Sequence, residues 1–486
     1  MSGWLERASG VEVVADRFTA EGPDGPVELT NLVAVVPGAS AEAIVLLAHR
    51  DDRAPGPGVN DNASGTAVLV QLARTFAPLD RTKTLVLASV DGGTLGQAGA
   101  RRLAERPPSG VRPVAAIALD GVGGGGTMPI LFAGDDGARA GAALPRAAIQ
   151  ALETGGVPAA PPDVATQLLD LVQPAGARGA QAPFVDRGVS AVQIGDGGDP
   201  TGAERITRAR LERVGLALDT LVQRLDTTPE TADAADAYVM LGERALPAWV
   251  LTVLAISLLV APALVAGGLL FRAPGARQAW WPATVHVGRV ALPLVGALAA
   301  ARLAAAVGVL PDEPWVHRAG DVVGRGGLAA VVAGALLGGL AALRLRTPPS
   351  QLDAEDAAPA TIAVTLAAAV AGAGLVLLGS APTALLLVPA LHAWALLPLV
   401  ARAGLLARLL VLLVPGAVTF ALFLAARGAD AETWIAAVAS REVPGAVALG
   451  LAIALAALLV ALPVAAGIAR ATPWARGPAP AGGGPS

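Results

Sequence analysis

The apolar and polar positions of this chain follow two different rules. Over residues 1 to about 236, short apolar runs alternate with amphipathic stretches; from Leu246 onward, apolar residues run almost without interruption. In the first part, residues 43–48, 84–88 and 114–119 are continuously apolar, the pattern of strands covered on both faces. Residues 11–14 and 32–36 read as alternating or edge strands, and helices are expected over 63–76, 96–106 and 203–225. This β-α-β-α-β order predicts an α/β fold, a mostly parallel central sheet flanked by helices. Ligands of such sheets bind beyond the carboxyl ends of the strands. In the second part, seven stretches approach the roughly 20 apolar residues needed to cross a bilayer. They lie at roughly 246–271, 283–310, 326–343, 360–378, 383–401, 405–426 and 444–468.

The expected organisation is a soluble domain over 1–236, a linker over 237–245, an all-α bundle of about seven transmembrane helices over 246–470, and a disordered tail over 471–486. Composition supports the membrane assignment, because charged residues make up 15% of the chain where a soluble domain carries about a quarter. A net charge of −4 without a basic stripe argues against nucleic acid as a partner. The absence of Cys excludes disulfides, Cys-ligated zinc and thiol catalysis. Lys83 is the single lysine, and the dominance of Arg points to a GC-rich, bacterial genome. With seven spans, Arg272, Arg277, Arg344, Arg346, Arg402, Arg408, Arg470 and Arg476 share one side, opposite Arg244, Arg318, Arg325, Arg427 and Arg441. The positive-inside rule then puts the soluble domain on the extracytoplasmic face of a cell membrane. The first residues lack the apolar core of a signal peptide, so this orientation carries the expectation of an upstream membrane segment or signal.

Chemistry gathers where the strands end. The first apolar strand is followed by His49-Arg50-Asp51 and, after a Gly/Pro loop, by Asn60-Asp61-Asn62-Ala63-Ser64-Gly65. The second is followed by Asp91-Gly92-Gly93-Thr94-Leu95-Gly96, and the third by Asp120. An imidazole with carboxylates is a suitable ligand set for zinc or a similar divalent ion. Asp51, two residues from His49, is placed to accept the other ring N–H. Each residue alone also has a plain structural use, since Asn60, Asp61 or Asn62 before a helix reads equally as an N-cap.

Taken together, the His-x-Asp pair, the Asn-Asp-Asn-Ala-Ser-Gly segment and the strand-end Asp120 resemble the M28 zinc aminopeptidases over about residues 1–225. Residues 182–189 are similar to that family's late Pro-Phe segment. The resemblance implies a zinc-exopeptidase-like fold and a site for two zinc ions bridged by Asp61. One ion would take His49 and Asp120 in addition. The other would take the second Glu of a Glu-Glu pair and a late His, and the first Glu would be the general base. Here that pair falls on Gly93 and Thr94 and the late His near Gly195, with no His between His49 and His286. The family's Ser-Asp-His before Pro-Phe is replaced by Gly179-Ala180-Gln181.

The resemblance, with these departures, implies a membrane-anchored pseudo-peptidase. It would keep one ion through His49, Asp61 and Asp120 and bind a peptide or protein partner at the lipid bilayer; a two-zinc site is not expected. Two other functions stay open: an active zinc aminopeptidase using Asp91 or Asp52 as base, and a transporter with an accessory soluble domain. Introducing Gly93→Glu, Thr94→Glu and Gly195→His together is expected to recover hydrolysis if the scaffold is intact.

Overall fold

The computed structural model describes residues 1–22, 25–51, 59–134, 138–172, 179–195, 206–228, 238–242, 244–272, 276–310, 324–345, 354–400, 403–427 and 443–465. The tail over 471–486 and Asp52 lie outside them. The chain divides into two compact units, Met1–Ala248 and Trp249–Ser486.

The first unit begins with helix α1 (Ser2–Ser9), whose Leu5 and Ala8 enter the core. A long antiparallel hairpin follows, β1 (Val13–Gly22) with β2 (Gly25–Val36). Three strands carry the apolar runs seen in the sequence: β3 (Ser40–His49), β4 (Lys83–Val90) and β5 (Arg112–Leu119). Every residue of β4 is buried, as befits a strand covered on both faces. The helices between them are α2 (Ser64–Phe76) and α3 (Ala98–Glu105). Beyond β5 come β6 (Met128–Leu131), α4 (Ala143–Thr154), β7 (Ala159–Ala160), α5 (Val164–Val172), α6 (Ala182–Val185), β8 (Ser190–Ile194) and α7 (Arg208–Thr227). The sheet order is β1-β2-β4-β3-β5-β8-β6-β7. Its centre, β4-β3-β5-β8, is parallel, while β1 and β2 run antiparallel to their neighbours, and β6 is antiparallel to β8 but parallel to β7.

Helix α7 is fixed at both ends. Thr207 caps its start by accepting from the Arg210 amide. At its end the buried Lys83 ammonium donates to the carbonyls of Leu225, Asp226 and Thr228, where a cation offsets the negative end of the helix dipole. The stretch read as a linker folds, over its described residues, into a hairpin of β9 (Tyr238–Leu241) and β10 (Arg244–Pro247). Tyr238 stacks on Phe132 with ring centroids 5.6 Å apart, and its hydroxyl donates to Ala140. The hairpin therefore packs into the core of the first unit.

The second unit is helical: α8 (Ala248–Arg272), α9 (Ala276–Ala306), α10 (Gly324–Arg344), α11 (Ala354–Gly379), α12 (Ala381–Ala395), α13 (Leu405–Arg427) and α14 (Gly445–Ala465). Among the described residues, six of these are long and apolar enough to cross a membrane. The stretch at 383–401 gives α12, whose 15 residues reach only about 22 Å at 1.5 Å per residue. If α12 does not cross, every later loop changes side. Arg402, Arg408, Arg470 and Arg476 then leave the arginine-rich face and Arg427 and Arg441 join it, so six arginines stand against seven and the charge asymmetry is lost.

Close helix packing depends on glycine. A Cβ on Gly334 would stand 2.3 Å from the Gly296 carbonyl oxygen, and one on Gly338 2.2 Å from that of Leu292, so α9 and α10 meet backbone to backbone. Arg302 donates to the Val443 carbonyl, and His392 pairs through Nδ1 with the Val388 carbonyl of its own helix, 3.0 Å away.

Candidate metal centre

Three neighbouring elements bring the site together. His49 is the last residue of β3, Asp120 directly follows β5, and Asp61 sits in a single wide turn, Val59–Ala63, that leads into α2. All three are buried, at 4–5% exposure. His49 Nε2 lies 3.0 Å from Asp120 Oδ1 and 3.3 Å from Asp61 Oδ1, and one donor atom from each residue lies within 4.8 Å of the others. Ligands about 2.1 Å from a tetrahedral zinc stand about 3.4 Å apart. The donor types and their spacing therefore fit one divalent ion.

The surroundings orient each donor. His49 Nδ1 donates to the main-chain carbonyl of Asp51 at 2.9 Å, which leaves Nε2 facing the carboxylates. The sequence expectation gave that proton to the Asp51 side chain; the main-chain carbonyl of the same residue is the nearer acceptor. The Asp51 carboxylate lies 3.6 Å from Nδ1 and is already engaged. Its Oδ1 accepts from the Gly93 amide at 2.8 Å, and its Oδ2 from the amide and hydroxyl of Thr94, each at 2.9 Å. On the far side, Gln193 Nε2 donates to Asp120 Oδ2 at 3.2 Å, while its Oε1 accepts from the Ala180 amide.

Asn62 ties the wide turn to the sheet. Its Nδ2 donates to the Leu119 carbonyl at 2.6 Å, and its Oδ1 accepts from Gly65 and Gly121. The bond from Gly65 is the N-cap use anticipated for this segment; the other two bring the turn bearing Asp61 against the end of β5. Asn60 adds a bond from the Gly123 amide. Neither the bridging use of Asn62 nor the role of Gln193 was apparent in the sequence. The only signal for Gln193 was a polar residue inside the apolar run of β8.

Charge follows this arrangement. Burial opposes a charged imidazole, but the hydrogen bond to Asp120 and the nearby carboxylate of Asp51 outweigh it and push His49 up to about 10. Burial likewise opposes ionisation of Asp51, and is outweighed by His49 and the Thr94 and Gly93 amides, which hold it below the usual carboxylate range. In this state a divalent ion competes with a proton for His49.

Two of the positions that would carry the second ion and the base are hemmed in, Gly93 by the His49 side chain and Gly195 by the Asp120 main chain. A Cβ on Gly93 would stand 2.7 Å from Cγ and 2.9 Å from Nδ1 of His49. A Cβ on Gly195, where φ is +96°, would stand 1.7 Å from the Asp120 carbonyl oxygen. Thr94 turns its hydroxyl into Asp51. Reintroducing Glu, Glu and His at these three positions would displace His49 and the Asp120 main chain, so the expected recovery of hydrolysis does not survive the geometry. Asp91, one substitute base considered, is held by Arg50 at 2.8 Å and by the Thr30 amide at 3.0 Å. Asp52, the other, is outside the described residues.

Comparison with known proteins gives this arrangement a context. Residues 31–205 match the model of peptidase family M28. A probable zinc metalloprotease of Leptosphaeria maculans is 38% identical over 89 residues, covering 16% of this chain and 21% of that protein. One of Pyrenophora tritici-repentis is 33% identical over 111 residues, covering 21% and 22%. The chain spans about a fifth of the length of these curated relatives. Among solved structures, a Zn-dependent exopeptidase from Parabacteroides distasonis superposes with a TM-score of 0.37 at 18% identity, covering 47% of this chain and 87% of that one. A zinc aminopeptidase from Bacillus subtilis gives 0.34 at 18%, covering 43% and 53%. The first unit carries an M28-family zinc peptidase-like domain.

Proposed function

We propose that this M28 zinc peptidase-like domain holds one divalent ion, zinc by preference, through His49, Asp61 and Asp120, and serves a membrane protein by binding a peptide or protein partner rather than by hydrolysis. The observation that carries the proposal is the turn after β4. Gly93 lies against the His49 ring, where a Cβ would stand 2.7 Å from Cγ, and the Thr94 hydroxyl donates to Asp51, so this turn offers no carboxylate to hold a second ion or take a proton. A bound zinc would act as a Lewis acid toward a carbonyl or carboxylate of the partner. The chain's own part is to bury the three donors, to fix the His49 tautomer through the Asp51 carbonyl, and to orient Asp120 through Gln193. General-base catalysis is worth about 10²–10⁴-fold. Asp51 and Asp91, the carboxylates beside the site, are both committed to structural hydrogen bonds.

Metal analysis of the full-length protein purified in detergent is expected to give about one zinc per chain, with no turnover of aminoacyl-anilides. Two zinc ions per chain, or turnover that vanishes in Asp61→Asn, would overturn the proposal in favour of a zinc aminopeptidase. We also propose an extracytoplasmic domain. With all seven apolar stretches crossing, eight arginines oppose five, which supports it; the margin requires α12 to cross. Protease added outside intact cells is expected to remove the domain, and full protection would reverse the orientation.

A further inference from the structure

The proposed one-ion site places its specialised chemistry on three residues, but the geometry draws in a fourth that relatives would use differently. Thr94 stands where the resemblance expects a metal-binding Glu, yet its hydroxyl donates to Asp51 Oδ2 at 2.9 Å, in parallel with its own amide at 2.9 Å and beside the Gly93 amide at 2.8 Å. Three donors on one carboxylate hold Asp51 in a single orientation. The main chain of Asp51 then presents the carbonyl that receives the His49 Nδ1 proton at 2.9 Å. The same turn presses the Gly93 Cα against the face of that imidazole. Ring rotation is blocked from one side by packing and fixed from the other by the hydrogen bond.

We propose that Thr94 is a positioning residue for the candidate ion. Its hydroxyl clasps Asp51 to the turn after β4, and this clasp holds the His49 imidazole with Nε2 toward Asp61 and Asp120. The inference rests on the one-ion reading and adds to it: a position that would have supplied a ligand supplies the support of a ligand instead. Partners that orient a ligating imidazole typically contribute 10–100-fold in metal affinity. Thr94 is exposed, so its replacement leaves the core intact.

The test measures zinc affinity of the full chain in detergent by competition with a chromophoric chelator, alongside the visible spectrum of the Co²⁺-loaded protein. Thr94→Val is expected to weaken zinc binding by about 10-fold or more and to alter the Co²⁺ spectrum. Thr94→Ser, which keeps the hydroxyl, is expected to stay close to wild type in both. Wild type that binds zinc with Thr94→Val within twofold of it would overturn the clasp and leave the one-ion site standing. Equal weakening in Thr94→Val and Thr94→Ser would also overturn it, because the hydroxyl would not be the cause. Wild type that binds no zinc would remove the one-ion site itself, and the clasp with it.

Discussion

The two sides of the candidate site are built on the same sheet edge and do opposite things. On one side, His49, Asp61 and Asp120 arrive from β3, the wide turn and β5, and their donor atoms converge. On the other, Gly93 and Gly195 bring main chain up to His49 and to the Asp120 carbonyl. The contrast teaches that the glycines are packing requirements rather than spaces left by missing ligands. In this structure a side chain at either glycine collides with the very residues that would hold the ion.

Several substitutions can break or sharpen that contrast. The largest effect is expected for His49→Ala, which removes a ligand and should weaken zinc binding by about 10³-fold, read by chelator competition. Next is Gly195→His. With φ at +96° and a Cβ overlapping the Asp120 carbonyl, it should cost about 3 kcal/mol or more, lowering the Tm of the soluble unit by roughly 10 °C. A stable variant that gained a second zinc would show that the closed side is open after all. Asn62→Ala removes three hydrogen bonds, two of which join the wide turn to the end of β5. It should cost about 2–3 kcal/mol by denaturant unfolding and weaken zinc binding as Asp61 drifts.

The smallest step, taken one pH unit at a time, is one of pH. The folded pKa of His49, about 10, lies above its ordinary 6.5. For the metal-free protein, the stability from this group is full below pH 6.5 and is lost as pH climbs through 10. For zinc the sign is reversed, because the ring must lose its proton to ligate. Affinity is expected to rise about tenfold, ~1.4 kcal/mol, per pH unit between roughly pH 6 and 9. A flat profile would mean that His49 is already neutral in the metal-free site.

Much of this was visible in the chain itself. Residues 43–48, 84–88 and 114–119 read as doubly covered strands because unbroken apolar runs of that length have few other uses, and they became β3, β4 and β5. Asp61 and Asp120 were found because strand ends and helix starts mark where such sheets bind ligands. Strands β6 to β8 were not anticipated, because two to five residues are too few to show a period; helices α4 and α5 were missed as well. The stretch at 383–401 shows a similar limit. Its composition suits a membrane span, but the helix stops at Ala395, and composition does not report where a helix ends.

Sequence by itself determined which groups were available: one imidazole in the first unit, its carboxylates, and glycine or threonine where the resemblance expects a base and further ligands. Residue identity and spacing along a strand are local properties, so they can be read without coordinates. Only the tertiary structure decided how those groups are used. It sent the His49 proton to a main-chain carbonyl, turned Thr94 toward Asp51, and filled the space beside Gly93 with the His49 ring and that beside Gly195 with the Asp120 main chain. Those outcomes depend on the distance between atoms on different strands, which is set by packing across the sheet and has no signature in the order of residues along any one of them.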